Sequence, residues 1–250
     1  MSVHDASMDA PSGTRARTKP IRVALVDDHQ FIADMLSRAL ERQPDRFEFL
    51  GNAARLADVG ALLRREPADV VLVDYSLPDG RGSDVLRIVR RHWPRARMVL
   101  FTGHSESDIL HEAIAAGADG VLTKDMGMDH ILDVIERAHR GDVLLDAGTL
   151  RDLMTRPSAG ATRLAALDRL TPRERIVLEA VLDAGTTQEA ARRIQMAPAT
   201  LRVHLHRASQ KLGATSRLEA ISMALRAGLI RAPSGRTNAG AAAGGAGSRA

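Results

Sequence analysis

Apolar residues in the first half of the chain fall into short runs separated by polar turn residues. Some runs are continuous, which is typical of strands buried on both faces, and others recur every three to four residues, which indicates amphipathic helices. The predicted strands are 21–26, 47–51, 70–74, 96–102 and 120–123, and the predicted helices are 32–43, 56–66, 82–92, 107–116 and 129–140. This alternation predicts a doubly wound α/β domain with a five-stranded parallel sheet covered by helices on both faces.

The last third of the chain has a different pattern, typical of four short helices. Three of them open with a Thr/Ser-x-x-Glu capping box, at Thr171, Thr186 and Ser216, and the first also carries Pro172 at its first helical position. On the helix near Pro198, four apolar residues share one face and are expected to pack inward: Leu201, Leu205, Ala208 and Leu212. A second, all-α four-helix domain is therefore predicted.

The boundaries between the domains, linker and tails are predicted from local composition. Polar or Gly/Ala/Ser-rich stretches predict disordered ends, and Arg156-Pro157-Ser158-Ala159-Gly160 predicts a flexible connection. The predicted division is an extension 1–19, an α/β domain 20–141, a linker 142–169, a helical domain 170–231 and a tail 232–250.

Several classes of protein are disfavoured by the composition. The absence of cysteine excludes disulfides and thiolate metal sites. No apolar run approaches the roughly 18 residues of a membrane helix, and residues 1–19 lack the apolar segment of a signal peptide. We therefore expect a cytoplasmic protein without membrane contact.

Charge differs between the two predicted domains. Residues 21–141 hold 16 Lys/Arg and 20 Asp/Glu, a net charge of −4, whereas residues 170–231 hold 10 and 5, a net charge of +5. A basic small domain fits contact with nucleic acid, although a charge of this size is weak support by itself.

Five polar side chains follow the predicted strands at the edge where ligands bind in doubly wound sheets: Asp27, Asp28, Asp74, Thr102 and Lys124. With the flavodoxin-like strand order 2-1-3-4-5, the three carboxylates converge, and a hard cation such as Mg²⁺ would relieve their repulsion. Asp74 could then accept a phosphoryl group, with Lys124 and Thr102 binding its oxygens. Each residue alone has a simpler explanation, since Asp27-Asp28 could cap a helix and Asp74 could be a turn residue. Their joint placement favours the site.

These residues stand in recognisable segments: Leu25-Val26-Asp27-Asp28-His29, the run 71–82 around Asp74, Phe101-Thr102-Gly103 and Leu122-Thr123-Lys124-Asp125. Together they resemble the receiver domain of bacterial response regulators. The resemblance implies that Asp27, Asp28, Asp74 and the main-chain carbonyl of Ser76 bind the metal. It also implies that Asp74 is the phosphoacceptor, Thr102 the switch hydroxyl and Lys124 the phosphate-binding lysine. His29 is expected to be a turn residue and not a ligand. The chain departs from the family at Val121, where a Tyr or Phe usually reports the switch.

Residues 170–231 resemble the LuxR-type helix-turn-helix of the NarL/FixJ class, on Leu170-Thr171-Pro172-Arg173-Glu174-Arg175, 200–205, Lys211-Leu212-Gly213 and 216–220. The resemblance implies that Arg202, Val203 and His206 face the major groove. Thr200, Arg207 and Lys211 are expected to contact phosphates. The chain departs from the family pattern at Ala197, where a Ser or Thr N-cap is usual, and at Arg207, where Asn is commoner. The alternative is a solvated basic face, which the flanking motif disfavours.

Phosphate chemistry and a DNA-binding helix together predict a transcriptional response regulator and not an enzyme. We expect a sensor histidine kinase to phosphorylate Asp74, and the active form to bind double-stranded DNA as a homodimer. The unphosphorylated receiver is expected to occlude the recognition helix. Two alternatives remain: a LuxR-type regulator switched by a ligand or protein partner without phosphate, favoured by Val121, and a phosphotransfer enzyme with an aspartyl-phosphate intermediate.

Overall fold

The computed structural model describes residues 19–103, 107–124, 126–144 and 170–231. The predicted extension 1–19, apart from Lys19, the predicted linker beyond residue 144 and the predicted tail 232–250 lie outside these residues.

Strands and helices alternate through the first part of the chain. The strands are β1 (Ile21–Val26), β2 (Phe47–Ala53), β3 (Val70–Asp74), β4 (Ser76–Leu77), β5 (Gly80–Arg81), β6 (Arg97–Thr102) and β7 (Gly120–Thr123). The helices between them are α1 (Gln30–Glu41), α2 (Val59–Leu63), α3 (Gly82–His92), α4 (Ser107–Ala115) and α5 (Met128–Arg140), and a 3₁₀ turn (Leu56–Asp58) precedes α2.

The main sheet has five parallel strands in the order β2-β1-β3-β6-β7. The predicted flavodoxin-like order is thereby confirmed. The register of the sheet pairs Val26 with Val73 and Asp74 with Phe101, so the carboxyl ends of β1, β3 and β6 lie side by side. This alignment gathers the predicted polar residues at one edge.

Each face of the sheet is buried, as the continuous apolar strands predicted. Side chains of Val23, Leu25 and Leu72 pack on one face with residues of α1 and α5. On the other face Ala24, Val71 and Val73 pack with residues of α2 and α3. In β1, β3 and β6 the residues in the middle of the strand are apolar and buried, and buried polar residues stand at the carboxyl ends.

Several element ends differ from the predictions by one or two residues, and the larger differences lie around the second helix and the loop after Asp74. The predicted helix 56–66 is a 3₁₀ turn followed by one short helix that ends at Leu63. Asp79 caps the start of this segment, because it accepts hydrogen bonds from the main-chain N–H groups of Leu56 (2.7 Å) and Ala57 (3.0 Å). The antiparallel pair β4–β5 was not predicted. Both differences involve the loop after Asp74, which is held by contacts distant in sequence.

Four helices form the second part of the described chain: α6 (Pro172–Ala184), α7 (Thr187–Arg193), α8 (Pro198–Leu212) and α9 (Arg217–Arg226). Thr171, Thr186 and Ser216 each accept a hydrogen bond from the N–H group of the Glu three residues on, and at Thr171 the reciprocal bond of a full capping box also forms. Ala197 makes no side-chain cap. The four predicted inward-facing residues of α8 are buried: Leu201, Leu205, Ala208 and Leu212.

The two parts pack against each other. Leu110 and Ile114 of α4, together with Val143, belong to the same buried apolar cluster as the core of the helical domain. Polar contacts surround this cluster: the Ser216 hydroxyl donates to the Ala118 carbonyl at 2.8 Å, and the Thr187 N–H donates to Asp142 Oδ1 at 3.0 Å. None of the described helices has the length and apolarity to cross a membrane.

Candidate functional site: an acidic pocket and an exposed helix

Asp27, Asp74, Thr102 and Lys124 meet at the carboxyl edge of the sheet. Asp74 ends β3 and is only 3% exposed, and Asp27, which follows β1, is 1% exposed. Lys124 follows β7, where its main-chain N–H donates to the Thr102 carbonyl at 2.9 Å. The sheet therefore brings together side chains that are up to 97 residues apart in sequence, from Asp27 to Lys124.

The Lys124 ammonium forms ion pairs with the buried carboxylates of Asp27 and Asp74. Its Nζ lies 2.8 Å from Asp27 Oδ2 and 2.8 Å from Asp74 Oδ2. Burial raises the pKa of Asp74, and the hydrogen bond from Lys124 opposes that rise only in part. Burial alone would lower the pKa of Lys124, but hydrogen bonds with Asp27 and Asp74 reverse that effect and its pKa lies above the usual range. The ammonium is thus charged and lies beside the Asp74 carboxylate.

The pocket offers a compact set of metal ligands. One atom each from Asp27, Asp28, His29 and Asp74 lies within 4.8 Å of the others. His29 Nδ1 is 2.9 Å from Asp27 Oδ1 and 2.8 Å from Asp28 Oδ1, so His29 enters the pocket more closely than the sequence suggested. Three carboxylates outweigh the single ammonium of Lys124, and this oxygen-rich, anionic set fits a hard divalent cation such as Mg²⁺.

Thr102 and Ser76 are the two remaining residues of the predicted phosphate and metal site. Thr102 ends β6 and is buried beside the pocket. The main-chain N–H of Ser76 donates to Asp74 Oδ1 at 3.3 Å, which fixes the orientation of that carboxylate. Asp27, Asp28, Asp74 and Lys124 therefore form one cluster, and Thr102 and Ser76 stand at the same edge of the sheet.

The loop after Asp74 connects the pocket to α4 through residues that the sequence did not single out. Glu112 on α4 accepts hydrogen bonds from the Tyr75 hydroxyl at 2.8 Å and the Ser83 hydroxyl at 2.7 Å. These two donors hold the pKa of Glu112 below its usual range. Because α4 also packs on the helical domain, these bonds link the loop after Asp74 to the contact between the domains. No sequence motif marks Glu112.

The predicted DNA-contacting residues lie along α8, and the receiver-like part leaves most of them accessible. Thr200, Arg202, His206 and Arg207 are exposed, and Val203 is 49% exposed although it is apolar. The expectation that the first domain covers this helix was therefore wrong for these side chains. The contact instead involves the starts of α7 and α9.

Lys211, which is predicted to contact a DNA phosphate, forms an ion pair within the helical domain. Its Nζ lies 2.8 Å from Glu174 Oε2, the acid of the capping box that opens α6. Burial alone would raise the pKa of Glu174, but bonds from Lys211 and Thr171 hold it below the usual range. The pair ties the recognition helix to α6.

Two family models match the chain in the order of its domains. Residues 23–136 match the response regulator receiver domain, and residues 168–224 match the bacterial regulatory proteins of the luxR family. The chain is 32% identical over 211 residues to the transcriptional regulatory protein MctR of Rhizobium johnstonii, covering 84% of this chain and 95% of that protein. The chain belongs to the NarL-type response regulators.

Another relative and a solved structure are similar to this response regulator. The nitrate/nitrite response regulator protein NarL of Escherichia coli strain K12 is 27% identical over 203 residues, covering 81% of this chain and 94% of that protein. A crystal structure of a LuxR-family two-component response regulator from Aurantimonas sp. SI85-9A1 superposes with a TM-score of 0.47 at 28% identity, covering 53% of this chain and 94% of that one. The regulator is a two-component transcription regulator with a DNA-binding domain, and its family is not one of classical metabolic enzymes.

Proposed function

We propose that this regulator takes a phosphoryl group from a sensor histidine kinase onto Asp74 and thereby controls its binding to promoter DNA. The observation that carries the proposal is the buried Asp74 carboxylate with Lys124 Nζ at 2.8 Å, at the edge of the pocket. A carboxylate oxygen of Asp74 would attack phosphorus, the bond from phosphorus to the histidine nitrogen would break, and that nitrogen would leave with the electron pair.

The residues of the pocket have separate tasks in this transfer. Asp27 and Asp28 would hold Mg²⁺ with Asp74 and the Ser76 carbonyl, and the bound cation would offset negative charge on the phosphoryl oxygens. Lys124, already charged, would move from the Asp74 carboxylate to a phosphoryl oxygen, and the Thr102 hydroxyl would donate to another. Ser76 keeps the acceptor carboxylate oriented.

The second domain would bind double-stranded DNA through α8. Arg202, Val203 and His206 are exposed on α8 and would reach base edges. Thr200, Arg207 and Lys211 would contact phosphates. We further propose that the active form is a homodimer on paired half-sites, that the domains span 20–141 and 170–231, and that the regulator works in the cytoplasm.

Intact-protein mass after incubation with acetyl phosphate and Mg²⁺ tests the acceptor. We expect a phosphoryl adduct on the wild type and none on the Asp74→Asn variant, since the amide is not a nucleophile. An adduct of equal yield on Asp74→Asn would place the acceptor elsewhere.

A regulator switched by a ligand or partner without phosphate is the second candidate, and Val121 favours it. This residue is partly buried and packs against both the sheet core and the core of the helical domain, without an aromatic ring. If phosphorylated wild type and Asp74→Asn bound promoter DNA with equal affinity and oligomeric state, this second candidate would replace the first.

A further inference from the structure

His29 adds an imidazole nitrogen to the carboxylates of the acidic pocket. Its Nδ1 lies 2.9 Å from Asp27 Oδ1, 2.8 Å from Asp28 Oδ1 and 3.9 Å from Asp74 Oδ2. Among the residues that the structure describes, these four form the only group of three or more histidine and acidic side chains close enough together to hold a metal ion. The nitrogen therefore belongs to the same set of ligand atoms as the three carboxylates.

The main chain fixes the position of His29. Its N–H donates to Asp27 Oδ1 at 2.8 Å, and its carbonyl accepts the N–H groups of Ile32 at 3.0 Å and Ala33 at 3.2 Å where α1 begins. His29 is the N-cap residue of α1, but its side chain makes no capping bond. The ring is turned toward the carboxylates instead, so the start of the helix holds the ring at the pocket without using it as a cap.

The distances from His29 Nδ1 are those expected between ligand atoms of one octahedral ion. With bonds of about 2.1 Å, adjacent ligand atoms lie about 3.0 Å apart and opposite ones about 4.2 Å apart. The Asp27 and Asp28 oxygens match adjacent positions, and the Asp74 oxygen is close to an opposite one. Lys124 Nζ, which can only donate hydrogen bonds, lies 3.4 Å from Nδ1 and would meet a lone pair there. This nitrogen is therefore placed to bind a cation together with the carboxylates.

The donor atoms of a site decide which cation it prefers. Carboxylate and carbonyl oxygens and water suit Mg²⁺, whereas imidazole suits Zn²⁺ and Ni²⁺. An imidazole beside three carboxylates therefore raises the affinity of the pocket for Zn²⁺ or Ni²⁺. The affinity for Mg²⁺, which the oxygens hold, depends little on that ring.

We propose that His29 Nδ1 and the carboxylates of Asp27, Asp28 and Asp74 form a binding site for a transition-metal divalent cation such as Zn²⁺ or Ni²⁺. His29 sets the preference of the pocket for such an ion over Mg²⁺. The two kinds of cation then compete for the carboxylate that accepts the phosphoryl group. This inference rests on the proposed Mg²⁺ site of the phosphorylation pocket, and it adds a ligand and a second class of metal.

Three variants separate a ligand from a neighbour. His29→Asn replaces the imidazole nitrogen by an amide oxygen, a donor that suits Mg²⁺ better than Ni²⁺. Asparagine is also a favoured N-cap residue, so α1 should begin normally in this variant. His92→Asn is the matched control, because His92 is an exposed histidine that ends α3, where its Nδ1 lies 3.0 Å from the Ile88 carbonyl. Asp74→Asn tests whether the ion binds in the pocket.

Isothermal titration calorimetry of the full chain with NiCl₂ and, separately, with MgCl₂ measures the preference. We expect the Ni²⁺ affinity of His29→Asn to fall at least about tenfold below that of the wild type, while the Mg²⁺ affinity stays within about threefold. Asp74→Asn should weaken the binding of both ions, because it removes a charged ligand that they share. His92→Asn should change neither affinity.

Equal Ni²⁺ affinity of the wild type and His29→Asn would overturn the inference, because His29 would then only orient the carboxylates. An equal loss of Ni²⁺ and Mg²⁺ affinity would overturn it too, since His29 would then shape the pocket without selecting the ion. Unchanged Ni²⁺ affinity of Asp74→Asn would place the ion elsewhere and have the same result. The phosphoryl adduct that the wild type forms with acetyl phosphate and Mg²⁺ reports separately on the proposed function, so the two failures are distinguishable.

Discussion

At the scale of single residues, the acceptor pocket depends on a position that has no room for a side chain. A Cβ atom at Gly82 would collide with the Asp74 carbonyl oxygen and would lie 2.8 Å from Tyr75 Cα. The N–H of Gly82 donates to the Tyr75 carbonyl at 2.7 Å, which folds the loop back on the end of β3. The shape of this loop sets where the Asp74 carboxylate points.

Gly82→Ala should therefore impair the chemistry of the pocket. The methyl group must displace main chain, so we expect a loss of about 1–3 kcal/mol in the free energy of unfolding. The displaced acceptor should be phosphorylated by acetyl phosphate at least about tenfold more slowly. Chemical denaturation and the time course of the phosphoryl adduct measure the two effects.

Gly60→Ala is the matched control, because Gly60 lies in α2 and a methyl group placed there would have nothing within 4 Å. Alanine there should stabilise the protein by about 0.5–1 kcal/mol and leave phosphorylation unchanged. If Gly82→Ala reacted as fast as Gly60→Ala, the close approach would not control the acceptor.

At the scale of elements, the start of α6 holds the helical domain together. Thr171 and Glu174 form a reciprocal capping box, and Glu174 also binds Lys211 of α8 at 2.8 Å. Glu174 is 2% exposed, so the carboxylate is shielded from water while it pairs with the ammonium. One side chain thus caps one helix and anchors the recognition helix.

Glu174→Gln keeps the capping geometry but loses the charge, and we expect it to cost about 1–2 kcal/mol of unfolding free energy at neutral pH. Because the folded-state pKa of Glu174 is lowered, this contribution is present above the ordinary pKa of Glu, about 4.3, and is lost as the pH falls through and below it. Denaturation of both proteins between neutral and acid pH measures the difference.

Glu189→Gln is the control for that experiment, since Glu189 occupies the same position of α7 but pairs with the exposed Arg192 and Arg193. Surface pairs of this kind contribute little, so its effect on stability should be small. Equal pH dependence for the two variants would show that the Glu174–Lys211 pair has no special role.

At the scale of the whole molecule, an apolar contact joins the two domains. Leu110 and Ile114 of α4 enter the core cluster of the helical domain, and Val121 packs against both cores. Tyr75 and Glu112 connect the acceptor loop to the same helix α4. A change at Asp74 can therefore reach the domain contact through packed and hydrogen-bonded groups without an aromatic residue at position 121.

A larger side chain at this contact should force the domains apart. We expect Val121→Tyr to weaken the contact by about 1–3 kcal/mol, because Val121 packs against both cores and a larger ring must displace its neighbours. Limited proteolysis of the full chain should become faster without phosphorylation.

Val121→Ala is the control, since a smaller residue leaves the contact in place. Its proteolysis should stay within about twofold of the wild type, because it adds no overpacking. Val121→Tyr with a wild-type rate of proteolysis would mean that position 121 does not separate the domains.

The sequence predicted the sheet and its polar edge because both follow from local pattern. Continuous apolar runs specify strands buried on both faces, and right-handed crossover connections leave few orders for five parallel strands. Once the order is given, Asp27, Asp74 and Lys124 must meet at one edge. The helix caps at Thr171, Thr186 and Ser216 were equally local, and the structure shows a side-chain bond at each.

Tertiary structure decided the features that depend on residues far apart in sequence. Asp79 accepts hydrogen bonds from the N–H groups of Leu56 and Ala57 across more than 20 residues, and so caps the start of the second helical segment. Glu112 has its hydrogen-bond partner Ser83 only because α4 packs beside α3. Likewise, Arg217 is a surface arginine by every local measure. Its burial against Gly141 arises from the packing of one domain on the other, a long-range contact for which the periodicity of a single helix carries no information.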